Sequence, residues 1–161
     1  MKIRIFLMSA LVALATSGCG QKDASTAAAA PAPAGPRTIE ITAGDTMKYS
    51  LTAIEATPGE DLKVVLTNNG SQPKEVMGHN FVLLKAGTDV AAFDAAALMS
   101  KDTDYIPAAL SSQIIAKIDL LGPRKSGEVA FKAPTAPGEY PFLCTFPAHY
   151  QTGMRGTLTV K

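Results

Sequence analysis

The chain has 161 residues, room for one domain with appendages, and its 47% hydrophobic and 18% charged make-up is that of a globular protein, not a disordered one. Fifteen Lys and Arg against 14 Asp and Glu leave a formal charge of +1, and so nearly neutral a chain is not built to hold nucleic acid, which calls for a basic patch. Two cysteines are too few for a disulfide framework.

In chain order, the first element is a leader. Lys2 and Arg4 precede an apolar run from Ile5 to about Ala15, followed by small residues up to Cys19. That pattern predicts a secretory signal over residues 1–19, because a membrane span needs roughly 20 apolar residues. Ser17-Gly18-Cys19 resembles a bacterial lipobox, which implies acylation of Cys19 and a membrane anchor, although Thr16 stands where leucine is usual. Gly20 after the cysteine resembles the pattern sorted to an outer membrane. Losing Lys2 and Arg4 with the leader would take the formal charge from +1 to −1. A nearly neutral domain is not built for strong long-range steering.

Residues 20–37, rich in alanine and proline, cannot bury a core and read as a flexible tether. The folded unit is expected over 38–161. There alternation dominates: TIEITAGD, MKYSLTAIEATPG, DLKVVLTNNG, GHNFVLLKAG, two segments either side of Gly122-Pro123, GEYPFLCT and GMRGTLTVK read as about eight strands. In the second, Met47, Tyr49, Leu51 and Ile54 fall on one face. Gly and Pro turns between strands predict an all-β sandwich or barrel of antiparallel type. Between Gly87 and Ser112, Val90, Phe93, Ala97 and Leu98 recur near helical spacing, with Thr88 or Asp89 as cap; this predicts a helical flap over the sandwich. A lone methionine is ordinarily core filler, and Met47 and Met99 are read so.

Chemistry concentrates in CTFPAHYQTGM. His149 lies five positions after Cys144 and Met154 five after His149, while the chain's other histidine is His79. Singly, each has a dull explanation: buried thiol, structural imidazole, core thioether. Together they form the assortment of a blue-copper site, two imidazoles and a thiolate in a plane with a weak, distant thioether. Zinc also accepts Cys and His, but copper stands higher in the affinity order. One loop supplies three of the groups and His79 must arrive from another strand end.

VMGHNFVL followed by CTFPAHYQTGM and GTLTVK resembles the azurin family of cupredoxins, over about residues 39–161. The resemblance implies a cupredoxin-like Greek-key fold with one copper ion, Cu(I) or Cu(II), per chain. It implies His79, Cys144 and His149 as equatorial ligands, Met154 as the axial one and the Gly78 carbonyl as a candidate weak contact. Asn80 would steady the thiolate's loop by hydrogen bonding. Three departures stand out. Four residues separate His149 from Met154 where azurins usually have three, which matches the auracyanins better. Ala148 replaces the usual glycine, so its backbone must avoid positive φ or bear strain. The azurin disulfide has no cysteines to form it; auracyanins lack it too and are membrane-tethered.

The function this implies is single-electron shuttling at the bacterial cell envelope, periplasmic or anchored through Cys19. His149 is expected near the surface within an apolar rim of Met77, Phe146, Pro147 and Ala148, with Tyr150 beside it. Such a rim suits brief docking of a monomer to a cytochrome or another redox protein. A copper enzyme would need further histidines for a second centre, and both are spent on one site. The other reading is a periplasmic copper carrier or buffer, which would favour an exposed, exchangeable site.

Overall fold

The computed structural model describes residues 35–161, so the leader, Cys19 and nearly all of the tether lie outside the described residues. Eight strands form in chain order: β1 (Arg37–Ala43), β2 (Ala53–Ala56), β3 (Asp61–Asn68), β4 (His79–Leu84), β5 (Ile114–Leu121), β6 (Ser126–Lys132), β7 (Gly138–Leu143) and β8 (Arg155–Val160). A four-residue helix α1 (Lys74–Met77) precedes β4, and α2 (Val90–Leu98) follows it. Two short 3-10 segments link α2 to β5. The fold is all-β.

The strands divide into a three-stranded sheet ordered β1-β3-β6 and a five-stranded sheet ordered β2-β8-β7-β4-β5. The expectation of antiparallel pairing holds for most neighbours but not for β1 with β3 or β2 with β8, which are parallel. Parallel neighbours require crossovers, and the chain supplies them by passing between the sheets. The turn at Gly122-Pro123, for example, carries it from β5 in one sheet to β6 in the other.

The core between the sheets follows from alternation. In β3, Leu62, Val64 and Leu66 are fully buried while Lys63, Val65 and Thr67 between them are only half-buried. All six residues of β4 are buried, because the strand is covered on both faces. Phe81 and Leu83 point into the main core, whereas Val82 and Leu84 join Phe93, Ile106 and Leu143 in a second cluster beneath α2. The helical flap is therefore present and laid on the five-stranded sheet. Asp89 caps it, its carboxylate accepting from Ala92 N–H at 3.0 Å.

Three expectations need correction. The second strand is only Ala53–Ala56. Met47 takes φ +55° and closes a turn onto Gly44, and Ser50 bonds back to Thr42 through both N–H and hydroxyl. The alternation survives in the burial of Tyr49 and Ile54, without a continuous ladder. Met99 is 88% exposed, not core, because it sits just past the last turn of α2. Leu98 is also exposed, and the helix buries Asp94 in its place.

Candidate metal centre

His79 opens β4, and Cys144 directly follows β7. β4 and β7 are antiparallel neighbours with Val82 opposite Leu143, so these two strand ends meet at the same end of the sheet. Met154 immediately precedes β8, which pairs with β7 on its other side. The ten-residue step from Cys144 to Met154 is folded on itself by backbone bonds: Cys144 N–H to Met154 O, Met154 N–H to His149 O, His149 N–H to Phe146 O. Gly153, at φ +94°, makes the last bend before Met154, a conformation glycine adopts without a Cβ penalty. Ala148 stands at φ +69° and so takes the strained of the two alternatives its sequence allowed.

The potential ligand atoms of His79, Cys144 and His149 all lie within 4.8 Å of one another, and all three residues are buried. Cys144 Sγ is 3.4 Å from His149 Nδ1, and the two imidazole rings stand 4.9 Å apart, tilted by 37°. His79 Nε2 donates to the Gly44 carbonyl at 3.1 Å, which fixes the tautomer and leaves Nδ1 with a free lone pair. That Nδ1 is buried with no hydrogen-bond partner.

Burial acts on the same three groups, favouring the neutral form of each, so the imidazoles are ready to ligate while the thiol must give up its proton to the incoming metal. Burial pushes the Cys144 thiol up to about 12, partly opposed by the backbone N–H groups of Asn80 and Phe146. Burial lowers His79, against the Gly44 bond, and takes His149 down to about 4 with help from its neighbour His79. Both imidazoles are thus neutral at pH 7, as ligands must be.

Asn80 joins the two halves of the site. Its side-chain oxygen accepts from Thr145 N–H at 2.9 Å and its amide donates to Thr145 Oγ1 at 2.7 Å. Its own carbonyl accepts from the buried Tyr49 hydroxyl at 2.5 Å. Gly78 is needed for space: a Cβ there would stand 2.6 Å from the Lys74 carbonyl. Met154 is fully buried. Two rim expectations change: His149 is 1% and Phe146 7% exposed, their ring centroids 4.8 Å apart. Met77, Pro147 and Tyr150 are half-buried and Ala148 is exposed. Sequence reasoning missed Gly44, Tyr49 and Thr145, whose contributions are a carbonyl or hydroxyl that only the fold brings near.

A soft divalent ion fits this donor set. Two donors bonded at about 2.0–2.3 Å in a trigonal plane stand roughly 3.5–4 Å apart, close to the sulfur–nitrogen separation observed. The orphaned Nδ1 gains a partner, and thiolate with imidazole suits copper in both oxidation states.

Comparison with known proteins gives a consistent result. Residues 37–161 match the family of copper binding proteins described as the plastocyanin/azurin family. Auracyanin-B of Chloroflexus aurantiacus is 34% identical over 126 residues, covering 77% of this chain; the match spans only 52% of that protein's length. Azurin of Pseudomonas aeruginosa is 34% identical over 135 residues, 82% of this chain and 90% of its own. The crystal structure of dithionite-reduced auracyanin from Roseiflexus castenholzii superposes with a TM-score of 0.69 at 39% identity, covering 79% of this chain and 98% of that one.

Proposed function

This chain belongs to the plastocyanin/azurin family of copper-binding proteins, and from that premise we propose that it is a type 1 copper protein that carries single electrons between redox partners at the cell envelope. Copper is its cofactor, and His79, Cys144 and His149 are arranged as the metal site. The observation that carries the reading is this enclosed trio, with one imidazole nitrogen left buried and unpartnered.

His79 Nδ1, Cys144 Sγ and His149 Nδ1 would hold the ion, with Met154 as a weak axial donor and the Gly78 carbonyl as a further distant contact. Bound copper supplies the one-electron change. The chain's own residues keep that change cheap in reorganisation. Gly44 fixes the His79 ring, Asn80 and Thr145 lock β4 to the Cys144 loop, and backbone bonds hold Cys144, His149 and Met154 in one rigid turn. Burial keeps water from the site. It also speaks against a carrier or buffer, which needs a site from which metal exchanges readily.

Met77, Pro147 and Ala148 would form the face for transient docking to a cytochrome or other redox protein, with Phe146 beneath as the link between that face and His149. Export, a periplasmic setting and acylation of Cys19 are part of the proposal and are supported by the leader pattern. Among the described residues, no helix is long and apolar enough to cross a membrane. The test is optical: copper-loaded protein should show an intense visible band that bleaches with reductant and returns with oxidant. A colourless copper-loaded protein, or a band indifferent to reductant, would contradict the reading.

A further inference from the structure

The flap helix carries a charge that covering the sheet does not call for. α2 turns Phe93, Asp94 and Ala97 inward, and Asp94 is only 2% exposed. A carboxylate taken out of water is unfavourable unless its oxygens are paired. Here only Oδ2 is paired, accepting from the Gln151 side-chain amide, and Oδ1 has no partner. Helix capping does not explain the residue, because Asp89 already serves that purpose. Gln151 lies between His149 and Met154, in the loop that would hold the ion.

We propose that Asp94 is a positioning residue for the copper centre: through Gln151 it fixes the loop between His149 and Met154, and its unneutralised charge favours the ion's more oxidised state. The inference rests on the electron-transfer reading above. An anion held in a poorly solvated place stabilises a neighbouring ion of higher positive charge, so it lowers the reduction potential. Burial raises the Asp94 carboxyl, as expected for a charge whose solvation is incompletely replaced. The neighbouring tie to this loop, Lys48 Nζ to the Thr152 carbonyl, comes from the β1–β2 connection and belongs to an exposed side chain. Asp94–Gln151 is a hydrogen-bonded tie between the loop and the flap, beside the apolar packing of Tyr150 on the cluster that holds Phe93.

Two variants separate charge from tether in the copper-loaded full chain at pH 8, far above the ordinary carboxylate range. Asp94→Asn removes the charge but keeps an acceptor for Gln151; it should shift the reduction potential upward with the visible band unchanged. Gln151→Leu removes the tether; it should speed amide hydrogen exchange at Thr152 and Gly153, whose N–H groups bond within the loop to Ala148 and Tyr150. Asp89→Asn, an exposed acid on the same helix, should leave the potential unmoved. An Asp94→Asn protein with the wild-type potential overturns the inference. Should that variant fail to fold, wild-type exchange rates in Gln151→Leu overturn it instead. Wild-type protein with no reducible visible band would sink the reading beneath, a failure told apart because it precedes any variant.

Discussion

Ala148 sits at φ +69° in the middle of the metal-site loop, where a Cβ costs about 1 kcal/mol and glycine costs little. Ala148→Gly should therefore stabilise the protein by roughly 0.5–1 kcal/mol in chemical denaturation, offset in part by the extra freedom of the unfolded chain; a loss of stability would mean that the alanine methyl packs usefully. Met154→Leu should leave copper bound and raise the reduction potential, since a weak donor is exchanged for an apolar group; an unmoved potential would remove Met154 from the ligand set. The histidines predict a pH effect in metal-free protein. His149 is held at about 4 when folded, mainly by burial, against about 6.5 when unfolded. Between those values the unfolded chain binds more protons, so stability rises with pH across this window and is lost as pH falls through it. The loss should be on the order of 2 kcal/mol by pH 4 in urea titrations, and a flat profile from pH 7 to 4 would contradict it. At this scale the sequence was most legible. Two histidines and one domain cysteine left little choice of metal-site residues, whereas Gly44 and Thr145 contribute through groups that every residue or many residues carry.

Among the elements, β4 and β7 position the centre, and β8 closes it. Gly156 in β8 faces Phe142 of β7, and a Cβ there would collide with the phenyl ring and with the Thr52 carbonyl. The backbone side of that clash cannot move without parting β2 from β8. Gly156→Ala should cost about 1–3 kcal/mol of stability in denaturant, as overpacking does, while the visible band of the folded fraction keeps its position. A neutral result would show that the strands slide apart freely. The strands with strict alternation or continuous apolar runs, β3 and β4 above all, could be read from the chain because their faces are either half or wholly buried. The segment before β2 could not. Its alternating Met47, Tyr49 and Leu51 mark burial, but the turn at Met47 depends on a backbone conformation that nothing in a methionine announces. The inward face of α2 could be read only in part: Phe93 and Ala97 are buried as their spacing suggests, but a run of alanines lets Asp94 take the place of Leu98 at little packing cost.

For the molecule as a whole, the metal site joins one strand end to a loop between two others, so bound copper should act as a staple. Ligand binding to the native state alone raises stability by mass action. Copper-loaded protein should therefore melt well above the metal-free form in calorimetry, and coincident melting curves would mean that the ion binds without tying β4 to the β7–β8 loop. The leader and tether proposed for residues 1–37 would bear on where the protein works, not on how the site is built. Replacing Cys19 by alanine should abolish fatty-acid labelling and membrane partition while leaving the copper site untouched. What matters most is which atoms hold the metal. A crystal structure of the copper-loaded protein should show one ion bonded to His79 Nδ1, Cys144 Sγ and His149 Nδ1. An ion bound elsewhere, or one lacking the cysteine sulfur, would contradict it.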